Sequence, residues 1–327
     1  MDIKFNNSKT KIKVLIDSIS SSVMQGRLKV GDNLPSINEA SSMYAVSRDT
    51  VFKAYIELKK RGVIDAIPKK GYFVSGEVNH ILLLLDTYTS FKQGLYHRFM
   101  EKLPDNYKVD LIFHQYSEPL FETIVNESIG KYSMYVVMNF SYDHFSDALK
   151  AIPINKLLLL DFGHFEKSAY SYICQDFDKS FFDCLSSSVV LLKKYSKFAF
   201  VFPEELFHPI CSIDSFVRFC KKSNLAFEVF RKDSDWHGVE AGTVYFCISR
   251  EDMVKIIKEA DLAGLSVGSD LGLIAYNDEP ILEVIEKGVS AISVDFGLMG
   301  EWAANFVINK QQIQEYLPTQ FIQRDSI

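Results

Sequence analysis

The sequence predicts an α/β protein in two parts: a small helical head closed by a β-hairpin over residues 1–76, then a two-lobed body of parallel sheets over 77–327. Three observations support this. Residues 34–74 hold two short amphipathic helices followed by two short strands around Pro68-Lys69-Lys70-Gly71. From residue 79 onward, short apolar runs alternate with helical periodicities, the pattern of parallel sheets covered by helices. At 327 residues the chain is also long enough to bury at least two cores.

The first helix is predicted over 10–25, with Ile12, Leu15, Ile16, Ile19 and Val23 on one face and Gly26 as its stop. Lys9, Lys11 and Lys13 at its start oppose the helix dipole, which fits either phosphate contact or an ordinary solvated end. Pro35-Ser36 with Glu39 three residues after Ser36 spells a capping box, in which side chain and amide bond reciprocally. The helix that follows should turn Ala40, Met43 and Tyr44 inward and break near Ala45-Val46. Ser47 can cap the next helix, whose apolar stripe is Val51, Ala54, Tyr55 and Leu58, leaving Arg48, Thr50 and Lys53 to solvent. Gly62 ends it, and strands are expected over 63–67 and 71–74. Two helices joined by a tight turn and followed by a basic hairpin make a winged helix-turn-helix.

These residues resemble the N-terminal domain of the GntR superfamily of bacterial transcription regulators. The resemblance runs from Ile12 to Val74 and includes Gly26-Arg27-Leu28, Gly31-Asp32, Leu34-Pro35-Ser36, Ser47-Arg48-Asp49-Thr50-Val51 and Lys70-Gly71. It implies binding to operator DNA, with Pro35, Ser36, Asn38, Ser47, Arg48, Thr50, Lys53, Lys69, Lys70 and Gly71 as candidate contacts. Arg48 is the first choice for a base edge, since an arginine on the first turn of a recognition helix can bond guanine O6 and N7 together. The hydroxyls of Ser47 and Thr50 suit phosphates or the helix cap, and Lys69-Lys70-Gly71 suits a wing tip at the minor groove or a solvated turn. Asn38 and Phe52 depart from the basic residues common in the family, so no operator sequence carries over.

The charge distribution agrees. Residues 1–76 hold 13 Lys/Arg against seven Asp/Glu, while the remainder holds 23 against 35. A basic head on an acidic body suits one end touching phosphates. Residues 1–13 are polar and no apolar run approaches the roughly 20 residues that span a bilayer, so neither signal peptide nor membrane span is expected, and the protein is placed in the cytoplasm. Five scattered cysteines without a C-x-x-C pair read as buried small hydrophobes rather than a disulfide frame or metal site.

In the body, strands are predicted over 81–86, 109–114, 134–139 and 156–161, with helices over 91–103, 119–131 and 144–152 between them. A second set follows: helix 177–195, strand 198–202, helix 213–223, strands 226–230 and 244–248, helix 251–263 and strand 271–275. Ligands of such sheets sit beyond the carboxyl ends of the strands, and two lobes imply a cleft between them. The stretch from Ala263-Gly264-Leu265 through Val267-Gly268-Ser269-Asp270 to Asn277-Asp278 resembles the ligand-sensing domain of the LacI/GalR family. So do Ile292-Ser293-Val294-Asp295-Phe296, Met299-Gly300-Glu301-Trp302 and Leu317-Pro318-Thr319. The resemblance covers 79–327 and is strongest after Gly264. It implies a periplasmic-binding-protein-like type I fold that senses sugars and dimerises through its body.

Asn277 and Asp278 match the family's acidic ligand position, and Asp176 matches the aspartate that opens the second lobe. Ser212 stands where the sugar-clamping arginine would be, with His208 as the nearest polar substitute. Ser249-Arg250 replaces the family's Asn-Asp. Tyr88, Phe91, Asn139 and Asp295, at predicted strand ends or loops, complete the candidate effector set, with core filling the alternative for each aromatic. Carboxylates and amides suit sugar hydroxyls, which both donate and accept.

The expectation is an effector-controlled regulator that binds operator DNA as a homodimer and controls carbohydrate-utilisation genes in response to a monosaccharide. A non-sugar or phosphorylated effector is the alternative within that class. A pyridoxal-phosphate enzyme fused to a DNA-binding head is the alternative outside it. Such an enzyme needs a longer body, and no lysine sits in a cofactor motif and no G-x-S-x-G appears, so neither cofactor nor catalysis is expected. A solute-binding protein would have no use for the head. The effector, the operator and the direction of the response are not readable from the residues.

Overall fold

The computed structural model describes residues 10–327 apart from 25–26, 69, 76–78, 105, 162, 164, 203 and 205–206. The chain divides into two compact units: Met1–Ile81 with Pro104–Lys108, and Leu82–Leu103 with Val109–Ile327. Residues 76–78, where the sequence places the boundary, and Gly26 and Lys69 lie outside the described residues.

The head runs α1 (Lys11–Met24), β1 (Asn33–Leu34), α2 (Ile37–Met43), α3 (Arg48–Lys60), β2 (Ile64–Ile67) and β3 (Gly71–Val74). The capping box forms: Ser36 N donates to Glu39 at 2.8 Å and Glu39 N to Ser36 Oγ at 3.3 Å. Leu15, Ile19, Ala40, Val51, Ala54, Tyr55 and Leu58 close one core. The buried Tyr55 hydroxyl donates to the Pro35 carbonyl at 2.9 Å, tying α3 to the start of α2. Met43 is a correction to the expected inward set. Tyr44, one turn beyond Ala40, fills the inward place, and Met43 is left 61% exposed. A further unforeseen element is β1, too short for a periodicity, which pairs antiparallel with β3 to give the order β1-β3-β2. Gly71 opens β3 at φ +90° with open space around a would-be Cβ, so conformation rather than crowding demands glycine there.

The first lobe holds β4 (Asn79–Leu85), α4 (Ser90–Lys102), β5 (Tyr107–Phe113), α5 (Glu118–Ser128), β6 (Met134–Met138), β7 (Leu157–Asp161) and β8 (Ser171–Cys174). The second holds α6 (Lys179–Ser187), α7 (Val189–Leu192), β9 (Lys197–Val201), α8 (Cys211–Ser223), β10 (Ala226–Phe230), β11 (Thr243–Cys247), α9 (Arg250–Ala263), β12 (Gly272–Tyr276) and β13 (Ser290–Ser293). The chain then returns through α10 (Phe296–Asn309) and β14 (Gln314–Tyr316) to the first lobe and ends with β15 (Gln320–Ile322) in the second. The two six-stranded sheets are β14-β8-β7-β6-β4-β5 and β10-β9-β11-β12-β13-β15. The pairs β9–β10, β9–β11, β11–β12 and β12–β13 are parallel, as are β6–β7, β7–β8 and β8–β14, whereas β15 runs antiparallel to β13. α10 packs on α4 so closely that a Cβ at Gly300 would lie 2.3 Å from the Leu95 carbonyl oxygen.

Two predicted helices differ. The helix over 144–152 is only a 3-10 turn, Asp147–Ala151, because the Asn139 amide holds the carbonyls of Ser141 (2.7 Å) and His144 (2.6 Å) in a loop and Pro153 ends the segment. The helix over 177–195 breaks at Ser188, whose hydroxyl donates back to the Cys184 carbonyl at 3.1 Å and competes with the helical pattern. β8 and the exposed β14 were not expected: at four and three residues they are too short for a periodicity, and their pairing within the sheet makes them strands. Four cysteines are buried, Cys211 is partly so, and all five are free thiols. Among the described residues no helix is long and apolar enough to cross a membrane, and no cluster of His, Cys, Asp or Glu could hold a metal.

Candidate functional site

The head presents its polar side chains outward. Arg48 and Lys53 on α3 are exposed, with Lys53 paired to Asp49 at 2.8 Å. Ser47 is the N-cap of α3: its Oγ accepts from Thr50 N at 3.2 Å and lies 2.7 Å from Thr50 Oγ1, so both hydroxyls serve the cap. Asn38 is exposed on α2, Ser36 is committed to the capping box, and the half-buried Pro35 accepts from Tyr55. Lys70 and Gly71 are exposed at the hairpin.

In the body, a cleft of about 370 Å³ opens beyond the carboxyl ends of strands from both lobes. On its first-lobe side two identical pieces of sequence end, one in the lining residue Asp161 and the other in Asp86, which pairs with the lining residue Lys92. Leu82-Leu83-Leu84-Leu85-Asp86 and Leu157-Leu158-Leu159-Leu160-Asp161 are each a buried apolar run ending in an aspartate. Both runs lie within the first lobe's sheet, on β4 and β7, so each carboxylate stands where its strand stops.

The two aspartates have different partners. Asp86 is ion-paired to the equally buried Lys92 on the first turn of α4 and accepts from the Tyr116 hydroxyl at 2.7 Å. Asp161, at φ +73°, accepts from the Gln175 amide, and Gln175 accepts in turn from the Tyr276 hydroxyl at 3.3 Å. Burial pushes the Asp161 carboxyl up to about 6, with Asp86 raising it further while Lys92 and Gln175 oppose. Burial likewise holds the Tyr116 and Tyr276 phenols protonated far above the usual range.

On the walls, Arg250 spans the lobes: its Nε donates to Glu279 at 2.9 Å and its Nη2 to Ser90 Oγ of α4 at 3.1 Å, while Nη2 also pairs with Glu279. Phe91, held against Phe296 at 4.6 Å between ring centres, and Phe207, stacked on Tyr116 at 4.3 Å, are aromatic parts of the lining. Three buried polar atoms of lining residues have no hydrogen-bond partner among the described residues: Thr89 Oγ1, His208 Nε2 and Asn277 Oδ1. Burial pushes His208 down to about 3, so its imidazole is neutral. A buried polar group without a partner is costly, so three such groups on residues of one lining mark the cleft as a candidate ligand site.

Of the expected effector residues, Phe91, His208, Ser249 and Asn277 line this cleft, Ser249 while capping α9 through Asp252 N at 3.0 Å. The others stand elsewhere for visible reasons. Asp278 makes a two-point ion pair with Arg324 at 2.8 and 3.0 Å, because the left-handed Asn277 (φ +65°) sends successive side chains apart. Ser212 is fully buried and donates to the Pro209 carbonyl at 2.8 Å. Asp176 accepts from the amides of Asp178, Lys179 and Ser180 at the start of α6, and Asp295 caps α10 through Leu298 N at 2.8 Å. Asn139 holds its own loop, and Tyr88 is 61% exposed against Phe113. Sequence reasoning missed Asp86, Lys92, Asp161, Gln175 and Thr89. The repeated Leu-Leu-Leu-Leu-Asp was the available signal for the two aspartates; nothing local marked the other three.

Residues 11–74 match the family model "Bacterial regulatory proteins, gntR family", and residues 191–327 match "Periplasmic binding protein-like domain". The chain thus joins a gntR-family helix-turn-helix head to a periplasmic-binding-protein-like body. Among curated proteins it is similar to the uncharacterized HTH-type transcriptional regulator YcxD of Bacillus subtilis, at 39% identity over 64 residues, 20% of this chain and 14% of that protein. It is also similar to the HTH-type transcriptional repressor YtrA of the same organism, at 33% over 61 residues, 19% of this chain and 47% of that one. The chain therefore spans less than half the length of either relative.

Among solved structures, the trehalose repressor of Escherichia coli superposes with a TM-score of 0.61 at 10% identity, over 75% of this chain and 99% of that one. A LacI family transcriptional regulator from Lactobacillus casei with bound glucose gives 0.60 at 14%, over 76% of this chain and 100% of that one. At such identities the likeness establishes the fold of the body.

Proposed function

We propose that the protein is an effector-responsive transcription regulator that binds operator DNA through its head as a homodimer and takes a monosaccharide in the body's cleft, controlling carbohydrate-utilisation genes. The observation that carries the effector assignment is that three residues lining one cleft, Thr89, His208 and Asn277, each hold a buried polar atom without a hydrogen-bond partner among the described residues. A hydroxyl can donate to one such group and accept from another, so a polyol is complementary to a mixed, neutral set. Both cations of the lining, Lys92 and Arg250, are committed to Asp86 and Glu279, which favours a neutral sugar over a phosphorylated one. The glucose bound in the similar Lactobacillus casei regulator supports the same class. Similarity of the head to gntR-family regulators, its surplus of basic residues and the outward Arg48 support DNA binding. Exposed Leu262, Ile281 and Val284 (88%, 50% and 73%) on the second lobe supply apolar surface for a partner copy.

The test is a thermal-shift screen of neutral monosaccharides and their phosphates, with sedimentation of the same protein. A neutral sugar should stabilise the native state it binds, by about 2.7 kcal/mol at a hundredfold excess over Kd, and so raise the melting temperature. Asn277→Ala should weaken that shift. Stabilisation by a sugar phosphate alone overturns the neutral-effector reading, and a monomer at micromolar concentration overturns the homodimer.

A further inference from the structure

We propose that Phe52 reads thymine: its ring stands out from α3 one turn beyond Arg48 and packs on the 5-methyl group of a thymine in the major groove, with Ile56 extending the apolar contact. The inference rests on the DNA-binding reading of the head and adds to it a base and an apolar mode of recognition.

The helix has already met its packing needs on the other side. Val51, Ala54, Tyr55 and Leu58 are 0%, 0%, 1% and 0% exposed, and they supply the stripe that closes the head's core. Phe52 and Ile56 contribute nothing to that stripe and are 46% and 51% exposed. Residues four apart on a helix are neighbours on its surface, so Arg48, Phe52 and Ile56 form one outward row. The row starts with a cation on the first helical turn, and among the described residues Arg48 makes no ion pair, whereas Lys53 beside it is tied to Asp49.

The composition of the row selects its occupant. An apolar protein partner calls for a broad patch, and this row, among the described residues, offers only Phe52 and Ile56 with the cation Arg48 at its head, in a domain with a surplus of positive charge. A nucleic-acid groove offers the matching mixture: phosphates for the cations, and base edges for the row. Thymine alone places an apolar methyl on the major-groove edge, where cytosine presents an amino donor. A benzene ring against that donor would leave it without an acceptor, so Phe52 favours thymine by attraction and disfavours cytosine by desolvation. This predicts a base preference different from that of a basic side chain at the same place.

The experiment selects duplexes from a randomised pool with the full-length protein, then replaces each thymine of the best site by deoxyuridine, which removes only the 5-methyl group. In the wild type, at least one thymine per half-site should lose about tenfold in affinity on this replacement, the scale of one mismatched contact. Phe52→Ala should bind the thymine duplex about as weakly as the wild type binds the deoxyuridine one, and should show no further loss on replacement. Its thermal midpoint should stay unchanged, and its salt dependence likewise, since no phosphate contact is removed. Deoxyuridine sensitivity that survives in Phe52→Ala overturns the role of Phe52 while leaving the head a DNA reader. A wild type that selects no sequence overturns the DNA-binding reading itself, and this inference with it.

Discussion

Helix α3 of the head and the cleft of the body use polar side chains in opposite ways. On α3, Arg48 and Lys53 stand in water, anchored by a cap and a core stripe that are all local in sequence. At the cleft, Asp86, Lys92, Asp161 and Gln175 are buried, and the network they form reaches along the chain to Tyr116, 30 residues from Asp86, and Tyr276, 101 residues from Gln175. The head can therefore lose an outward charge and keep its fold, because an exposed group that disappears leaves nothing unsatisfied. The cleft cannot, since removing one partner leaves the other desolvated and alone.

The largest expected effect follows from that contrast. Lys92→Met should destabilise the body by about 3–5 kcal/mol in urea denaturation, because Asp86 is left as a buried unpaired carboxylate. Adding Asp86→Asn should recover much of the loss. A single-variant loss below about 1 kcal/mol would mean that the pair behaves like a surface bridge and would erase the contrast.

Arg48→Ala comes next. It should lower affinity for a selected operator by about tenfold to a hundredfold, the scale of one bidentate base contact, with the melting temperature and sugar response unchanged. Loss of the sugar response together with DNA binding would show that the two regions are not independent.

The smallest effect is in the pH dependence of stability, where two cleft groups pull in opposite directions. His208 has an ordinary value of 6.5 and sits at about 3 when folded, so the unfolded chain binds the extra proton between them. Its contribution is present above pH 6.5 and is lost as pH falls. Asp161 moves the other way, from 3.8 up to about 6, so the folded chain binds the extra proton and stability falls as pH rises through that window. Denaturation midpoints between pH 4 and 7 should therefore fall more steeply toward acid in Asp161→Asn than in the wild type. His208→Gln should reverse the slope. Parallel curves for all three proteins would show that neither group titrates with folding.

The same contrast explains what was legible. The capping box, the Ser47 cap and the stripe of α3 depend on residues within one or two helical turns, and each is present as read. Asn277 and Asp278 show where local reading stops. They are adjacent and chemically alike, yet a left-handed backbone at Asn277 puts one side chain on the cleft and gives the other to Arg324, 46 residues away. Asp86 and Asp161 repeat the lesson, since identical Leu-Leu-Leu-Leu-Asp segments lead to one carboxylate neutralised by Lys92 and another held by the Gln175 amide and pushed toward protonation.

The sequence by itself determined the alternation of strands and helices, the head's fold and the exposure of Arg48 and Lys53. Periodicity, capping and turn chemistry act over a few residues, and each leaves a local mark. Only the tertiary structure decided which polar groups meet in the cleft, which are consumed in caps and ion pairs, and which are left without partners. Burial and pairing depend on strands and loops that are distant along the chain, and the residues themselves carry no record of that proximity.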